Sequence, residues 1–235
     1  MEGMDGPPRC HGAHDGVLVG VVEGLHYRGV SSALLLAVVT LAAVPRPLSV
    51  LEQVAEAIDD AAVAQDWARV VALEERGGQA LGAKALVTTS HAHAAATNAL
   101  AEAKAATERR DALATRRAAN RLAAAVVEFY DPLHPTVPTS VMRLDVLLRQ
   151  LDLASEAGEA NGARAALKAT TSIWKTLRAN APVHGKTAAA TFEHDLGAVR
   201  RALDAGDLQA TAQAAVMALE GVDGLEKLFG AGTAR

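Results

Sequence analysis

The chain of 235 residues contains a single cysteine, Cys10. That count excludes an intramolecular disulfide, a zinc site with two or more thiolates, and covalent attachment of a c-type haem. Aromatic side chains are equally scarce, with two Trp, two Tyr and three Phe. Stacking platforms of the kind that hold bases, flavins or haem would have almost nothing to be built from. Charge of one sign is also lacking: the formal net charge is −4. It creates no whole-molecule field that would recruit nucleic acid or an anionic membrane as the main partner. No serine, cysteine or threonine sits in a recognisable nucleophile elbow, and no carboxylate pair is marked by its spacing, which points away from an enzyme.

Apolar residues, by contrast, make up 50% of the chain, enough for a substantial core. Alanine dominates, and it is the best helix former because it loses no side-chain entropy and buries no polar group. Beyond Pro47 no stretch alternates as a strand does, whereas apolar residues recur at three- and four-residue steps. The expected fold is all-α, built from antiparallel helical hairpins.

The clearest stripes lie in the last hundred residues. Val141, Leu144, Leu148 and Leu151 form one; Ala163, Ala166, Thr170, Ile173 and Leu177 a second; Phe192, Leu196, Val199 and Leu203 a third. Leu208, Ala212, Ala215, Leu219, Val222 and Phe229 form the fourth. Short loops at 157–162, 180–185 and 205–207 force antiparallel neighbours, so 139–229 reads as an up-down four-helix bundle. Its expected core holds Leu144, Leu148, Ile173, Trp174, Phe192, Val199, Leu219 and Phe229. Residues 48–130 read as an Ala-rich helical subdomain, with Leu81, Ala85, Thr88, Ala92, Ala95 and Ala99 as a stripe of small residues. Such a stripe lets helix axes approach closely but buries little area per residue. The segment 131–138 carries three prolines and should be a non-helical linker. Turn-forming Asp66, Asp111, Asn161 and Asp207 recur at intervals of 45, 50 and 46 residues, a spacing that suits a repeated helical hairpin.

Residues 30–44, VSSALLLAVVTLAAV, run uncharged between Arg28 and Pro45. The run is short for a membrane span and right for the apolar region of a signal peptide, here placed at 28–44. The expected location is therefore outside the cytoplasm, in a periplasm or cell envelope, with membrane contact only through this segment if it stays uncleaved. Residues 1–27 lack helical periodicity and carry acidic residues where a signal needs positive charge. They read as an unstructured or mis-assigned extension, with translation starting near Leu25.

Several groups of residues resemble fragments of functional motifs without completing them. The run His184 to Thr187, HGKT, has the tail of a phosphate-binding loop but Asn180 where the first glycine belongs, and a helix rather than a strand before it. His91 and His93 stand two apart on a helix and so project about 200° away from each other, too far to share a metal. Cys10, His11 and His14 precede the signal and should not survive its removal. The loops holding His134 and His184 both precede odd-numbered helices of the bundle and should fall at one end. There Asp131, His134 and His184, with Glu193 near, could hold a transition metal ion or an anion. His194 points away from the Phe192 seam. Arg109, Arg110, Arg116, Arg117 and Arg121 make a basic helix face, a docking surface for an acidic protein partner if Glu102, Glu108 and Asp111 leave it unneutralised. The function expected from these features is that of an exported, non-catalytic helical binding or scaffold protein. The alternative is a periplasmic bundle carrying a metal or small ligand through its loop histidines.

Overall fold

A computed structural model describes residues 44–86, 90–180 and 186–231. Among these the chain forms eight α-helices and no strand. They are α1 (Arg46–Val63), α2 (Trp67–Leu81), α3 (Ser90–Glu108), α4 (Ala112–Tyr130), α5 (Thr139–Glu156), α6 (Ala160–Ala179), α7 (Lys186–Asp204) and α8 (Leu208–Ala231). The fold is all-α, in agreement with the three- and four-residue periodicity. None of these helices is long and apolar enough to cross a membrane. The apolar run at 30–43, the extension before it, and the Cys10, His11 and His14 group lie outside the described residues.

Four of the turns share one device. After α1, α3, α5 and α7 a single residue turns left-handed: Gln65 (φ 55°), Arg110 (φ 52°), Gly158 (φ 77°) and Gly206 (φ 75°). The amide of the following residue then reaches back five positions to an alanine carbonyl each time. The bonds are Asp66 to Ala61 (2.9 Å), Asp111 to Ala106 (3.0 Å), Glu159 to Ala154 (2.8 Å) and Asp207 to Ala202 (3.1 Å). With the shorter bond from the left-handed residue three positions back, this is the Schellman closure of a helix C-terminus. The residue after it then caps the next helix: Asp66, Asp111 and Asp207 accept the amides of Arg69, Ala114 and Ala210. The positions 66, 111, 159 and 207 are separated by 45, 48 and 48 residues, so the hairpin repeat runs through Glu159, not Asn161. Asn161 lies inside the first turn of α6, because Gly158 takes the left-handed position and puts the cap of the helix at Glu159, two residues before Asn161.

The helices assort into two groups of four. Leu48, Leu51, Val54 and Ile58 of α1 meet Val70, Leu81, Leu122, Val126 and Phe129 in one core. Val141, Leu144, Leu148 and Leu151 of α5 meet Trp174, Phe192, Val199, Val222 and Leu225 in the other. In each group the first helix packs on the fourth, and successive helices pack on each other. Trp174 and Phe192 meet edge to face with ring centroids 4.8 Å apart.

Three stripes differ from their sequence reading. In α6 Trp174 is buried and Ile173 only partly so, since the seam steps from Thr170 to Trp174 to Leu177. The α8 seam is Thr211, Ala215, Ala218, Val222 and Leu225, leaving Leu219 and Phe229 half-buried at its edge. In the first group the stripe from Leu81 to Ala99 is not continuous, because α2 closes at Gly82 before α3 begins at Ser90. The small-residue seam lies within α3, at Ala92, Ala96, Ala99, Ala103 and Ala106. Close approach is visible at Gly77, where an added Cβ would lie 3.0 Å from Leu100 and 3.1 Å from Val54. The 131–138 segment opens with one 3₁₀ turn, Asp131–Leu133, before its prolines take over.

The two groups meet where α4 packs on α5. α1 packs on α4 and α8 packs on α5, and residues of all four helices line one cleft.

Candidate functional site

The site begins in helix periodicity. On α1 the core seam of Leu51, Val54 and Ile58 leaves Glu52, Glu56 and Asp59 on the adjoining stripe, at steps of four and three. On α5, Asp145, Arg149, Asp152 and Glu156 follow the same steps beside Leu144, Leu148 and Leu151. On α8, Asp223 and Glu226 flank Val222 and Leu225. These stripes converge on a cleft of about 130 Å³ between α1, α4, α5 and α8. Ala55, Ala119, Ala123, Val126, Val127, Met142 and Val146 supply its apolar lining. Its rim carries the carboxylates of Glu52, Glu56, Asp59, Asp145, Asp223 and Glu226 and a single cation, Arg149.

The cleft is chemically polarised along its length. At the end where α1 finishes and α4 begins, Arg116 donates from Nε to Asp59 (3.0 Å), from one terminal nitrogen to Asp152 (3.0 Å), and from the other to Glu156. Arg149 joins Asp59 (3.4 Å) to Asp145 (3.0 Å). Two arginines from α4 and α5 thus tie α1 to the second helix group. Farther along, Glu52, Glu56, Asp223 and Glu226 form no arginine ion pair among the described residues, although the Arg149 charge reaches Glu56. The Tyr130 hydroxyl donates to Glu52 (2.7 Å), and burial together with that carboxylate pushes the phenol well above its usual range.

The titration of the rim follows from this crowding. Desolvation by the cleft walls, and then the like charges of Asp145, Asp223, Glu52 and Glu56, hold the Glu226 carboxyl above the ordinary glutamate range. Glu56 is raised in the same way, by desolvation first; Arg149 opposes the shift, and Glu52, Asp145 and Asp60 add to it. Asp152 is also raised, because its burial outweighs the attraction of Arg116. Asn120 donates from Nδ2 to the Val146 carbonyl (3.1 Å), while its buried Oδ1 has no hydrogen-bond partner within the described protein.

The residues singled out from sequence lie elsewhere. Asp131 and His134 are exposed in the linker, His134 in a left-handed conformation (φ 47°). The Asp131 carboxylate is engaged by Arg143; desolvation opposes the net lowering of its pKa, which comes from the hydrogen bonds of Arg143 and Thr139. His184 lies outside the described residues, and Glu193 accepts from Trp174 and pairs with Arg178. His91 stands 3.9 Å from Glu128, and His93 and His194 are exposed. Among the described residues no group of three or more His, Cys, Asp or Glu side chains is arranged to hold a metal ion. The basic stretch is largely engaged within the chain: Arg116 in the cleft network, Arg117 with Glu159, Arg121 with Glu102, and Arg109 with the Ala105 carbonyl. Arg110 occupies the left-handed turn position.

Sequence reasoning missed the α1 acidic stripe: Glu52, Glu56 and Asp59 recur at steps of four and three, but nothing in that spacing says which helix faces them. The arrangement can bind cations by charge and apolar groups by contact. Among the described residues that line it there is no serine, threonine or cysteine. What the helices and the cleft define is an all-α protein of two consecutive four-helix groups. Comparison with protein-family models, with curated protein sequences and with solved structures finds no match to this chain.

Proposed function

We propose that this chain is an exported, non-catalytic helical binding protein whose inter-group cleft receives a basic segment of a protein partner. One observation carries the reading: an apolar floor lies beneath a rim of six carboxylates whose single cation, Arg149, is already engaged by Asp59 and Asp145. Lysine and arginine side chains have the matching form, an aliphatic stem that buries against apolar surface and a charged head that stays at the polar edge. A volume of about 130 Å³ suits the end of one such side chain rather than a drug-sized ligand. The uncharged run at 30–44 supports export.

Partner recognition through the arginine stretch finds less support, since Arg116, Arg117 and Arg121 neutralise carboxylates of the chain itself. Titration calorimetry with a tetra-arginine peptide at low salt tests the proposal. Binding should weaken about fivefold to tenfold in the Glu56→Gln/Glu226→Gln variant, the scale expected from two exposed charge pairs. Equal binding by wild type and variant would overturn the cleft as the site. Tighter binding of 1,4-diaminobutane than of the peptide would overturn the protein partner in favour of a small organic cation.

A further inference from the structure

Arginine ion pairs tie α1 to α5, the helix on which α8 packs, toward one end of the cleft. Near the C-terminus of α1, Asp59 is bound by Arg116 and Arg149, and the same Arg116 grips Asp152 and Glu156 on α5. One and two turns before Asp59 on α1, Glu56 and Glu52 line the same cleft as Asp223 and Glu226 in the C-terminal half of α8, and their charges act on Glu226. α1 and α8 do not form a packed pair; each is anchored instead to its own group, α1 on α2 and α4, α8 on α5 and α7. Like charges thus share a cleft that arginines pin toward one end, which is the layout of a hinge.

We infer that the α1–α8 mouth is a charge-gated opening: ionised carboxylates hold it apart, and loss or screening of their charge lets it narrow about the arginine-pinned end. Other charges around the mouth do not cancel this repulsion. On α5, Asp145 adds a negative charge and Arg149 is already shared between two carboxylates. On α4, Tyr130 is neutral and donates its proton to Glu52, while Arg116 sits at the pinned end. Behind α1, Arg76 of α2 reaches Gln53 rather than the rim; behind α8, the nearest charged group to Gly221 is Asp195 of α7, again an acid. Lys227 is exposed on α8 beside Glu226. Desolvation and like charges hold the Glu56 and Glu226 carboxyls above the ordinary glutamate value, so both gain protons as pH falls and the gate should respond on the acid side of neutrality.

As regulation of the same cleft the gate rests on the binding proposal, but its test uses no ligand and so succeeds or fails separately. In the full chain with Cys10→Ser, spin labels at Gln53→Cys and Lys227→Cys report the α1–α8 distance by pulsed electron resonance. The distribution should move to shorter distance as pH is lowered from neutral into the ordinary carboxylate range, because carboxyls held above that range gain protons on the way. About 1 M salt at neutral pH, where screening acts within about 3 Å, should produce the same movement. Adding Glu56→Gln/Glu226→Gln should give the short distance at neutral and at acid pH, with unchanged helical circular dichroism showing that the fold persists. A distribution insensitive to pH and salt would overturn the gate. So would a double variant that keeps the wild-type pH response, since the movement would then come from other groups.

Discussion

Replacing Arg116 by methionine removes the charge at the pinned end of the cleft while keeping most of the aliphatic stem. Its side chain is 14% exposed, and two of its three partners, Asp59 and Asp152, are similarly covered at 16% and 13%. Glu156, at 48%, is open to water and should contribute little. Removing one partner of a fully buried pair costs about 3–5 kcal/mol, and surface pairs are worth about 0–1 kcal/mol. Arg116 falls between these limits, so Arg116→Met should cost about 2–3 kcal/mol at neutral pH, measured by urea denaturation followed by circular dichroism. For a chain of this size that is a fall of roughly 5–10 °C in Tm.

The loss should also depend on pH in a defined direction. The folded pKa of Asp152 already stands above its ordinary value, so its contribution to stability is complete at low pH and is lost as pH rises through that folded value. Without Arg116 the folded pKa of Asp152 rises further, and the deficit of the variant should shrink as pH falls from neutral into the acid range, because protonation removes the buried negative charge that Arg116 neutralises. A cost below about 0.5 kcal/mol at neutral pH, or a deficit equal at neutral and acid pH, would refute the view that Arg116 neutralises a desolvated acidic cluster.

Other consequences are local. Leu148, fully buried in the second core, should cost about 2–5 kcal/mol as Leu148→Ala, read as a lowered denaturation midpoint. Gly78→Ala, with nothing within 4 Å of the new Cβ, should stabilise α2 by about 0.5–1 kcal/mol. Its neighbour Gly77→Ala should destabilise instead, because the methyl group meets Leu100 and Val54; identical shifts for the two variants would contradict the close packing of α2. At the turns, Gln65→Gly should raise the melting temperature by relieving a left-handed side-chain residue, whereas Gly206→Ala should cost about 1 kcal/mol.

The helices were legible because their signals are local. Alanine content, three-four periodicity and Asp caps each act within one or two turns, so the class and the hairpin pattern followed from them. Register at the edges of seams was harder. Ile173 and Trp174 are adjacent apolar residues, and only the neighbouring helix decides that Trp174 turns inward to meet Phe192. The αL turns were half-visible: Gly158 and Gly206 announce themselves, but Gln65 and Arg110 adopt the same conformation without glycine, held by the same back-bonds to alanine carbonyls. The cleft was least legible. Its residues come from positions 52, 145 and 226, and no periodicity within a helix says that α1 and α8 will line one cleft with α4 and α5. Arg116 shows the same limit, since its spacing from Arg109 suggested an outward basic face, while its partners lie 57, 36 and 40 residues away.

The most direct test of the account is amide chemical-shift mapping of the folded protein titrated with the tetra-arginine peptide. The cleft reading predicts saturable shifts concentrated on α1 from Glu52 to Asp59 and on α8 around Asp223 and Glu226, diminished in Glu56→Gln/Glu226→Gln. Shifts confined to acids outside the cleft, such as Glu74, Glu75 and Glu108, would contradict it, as would the absence of any saturable shift.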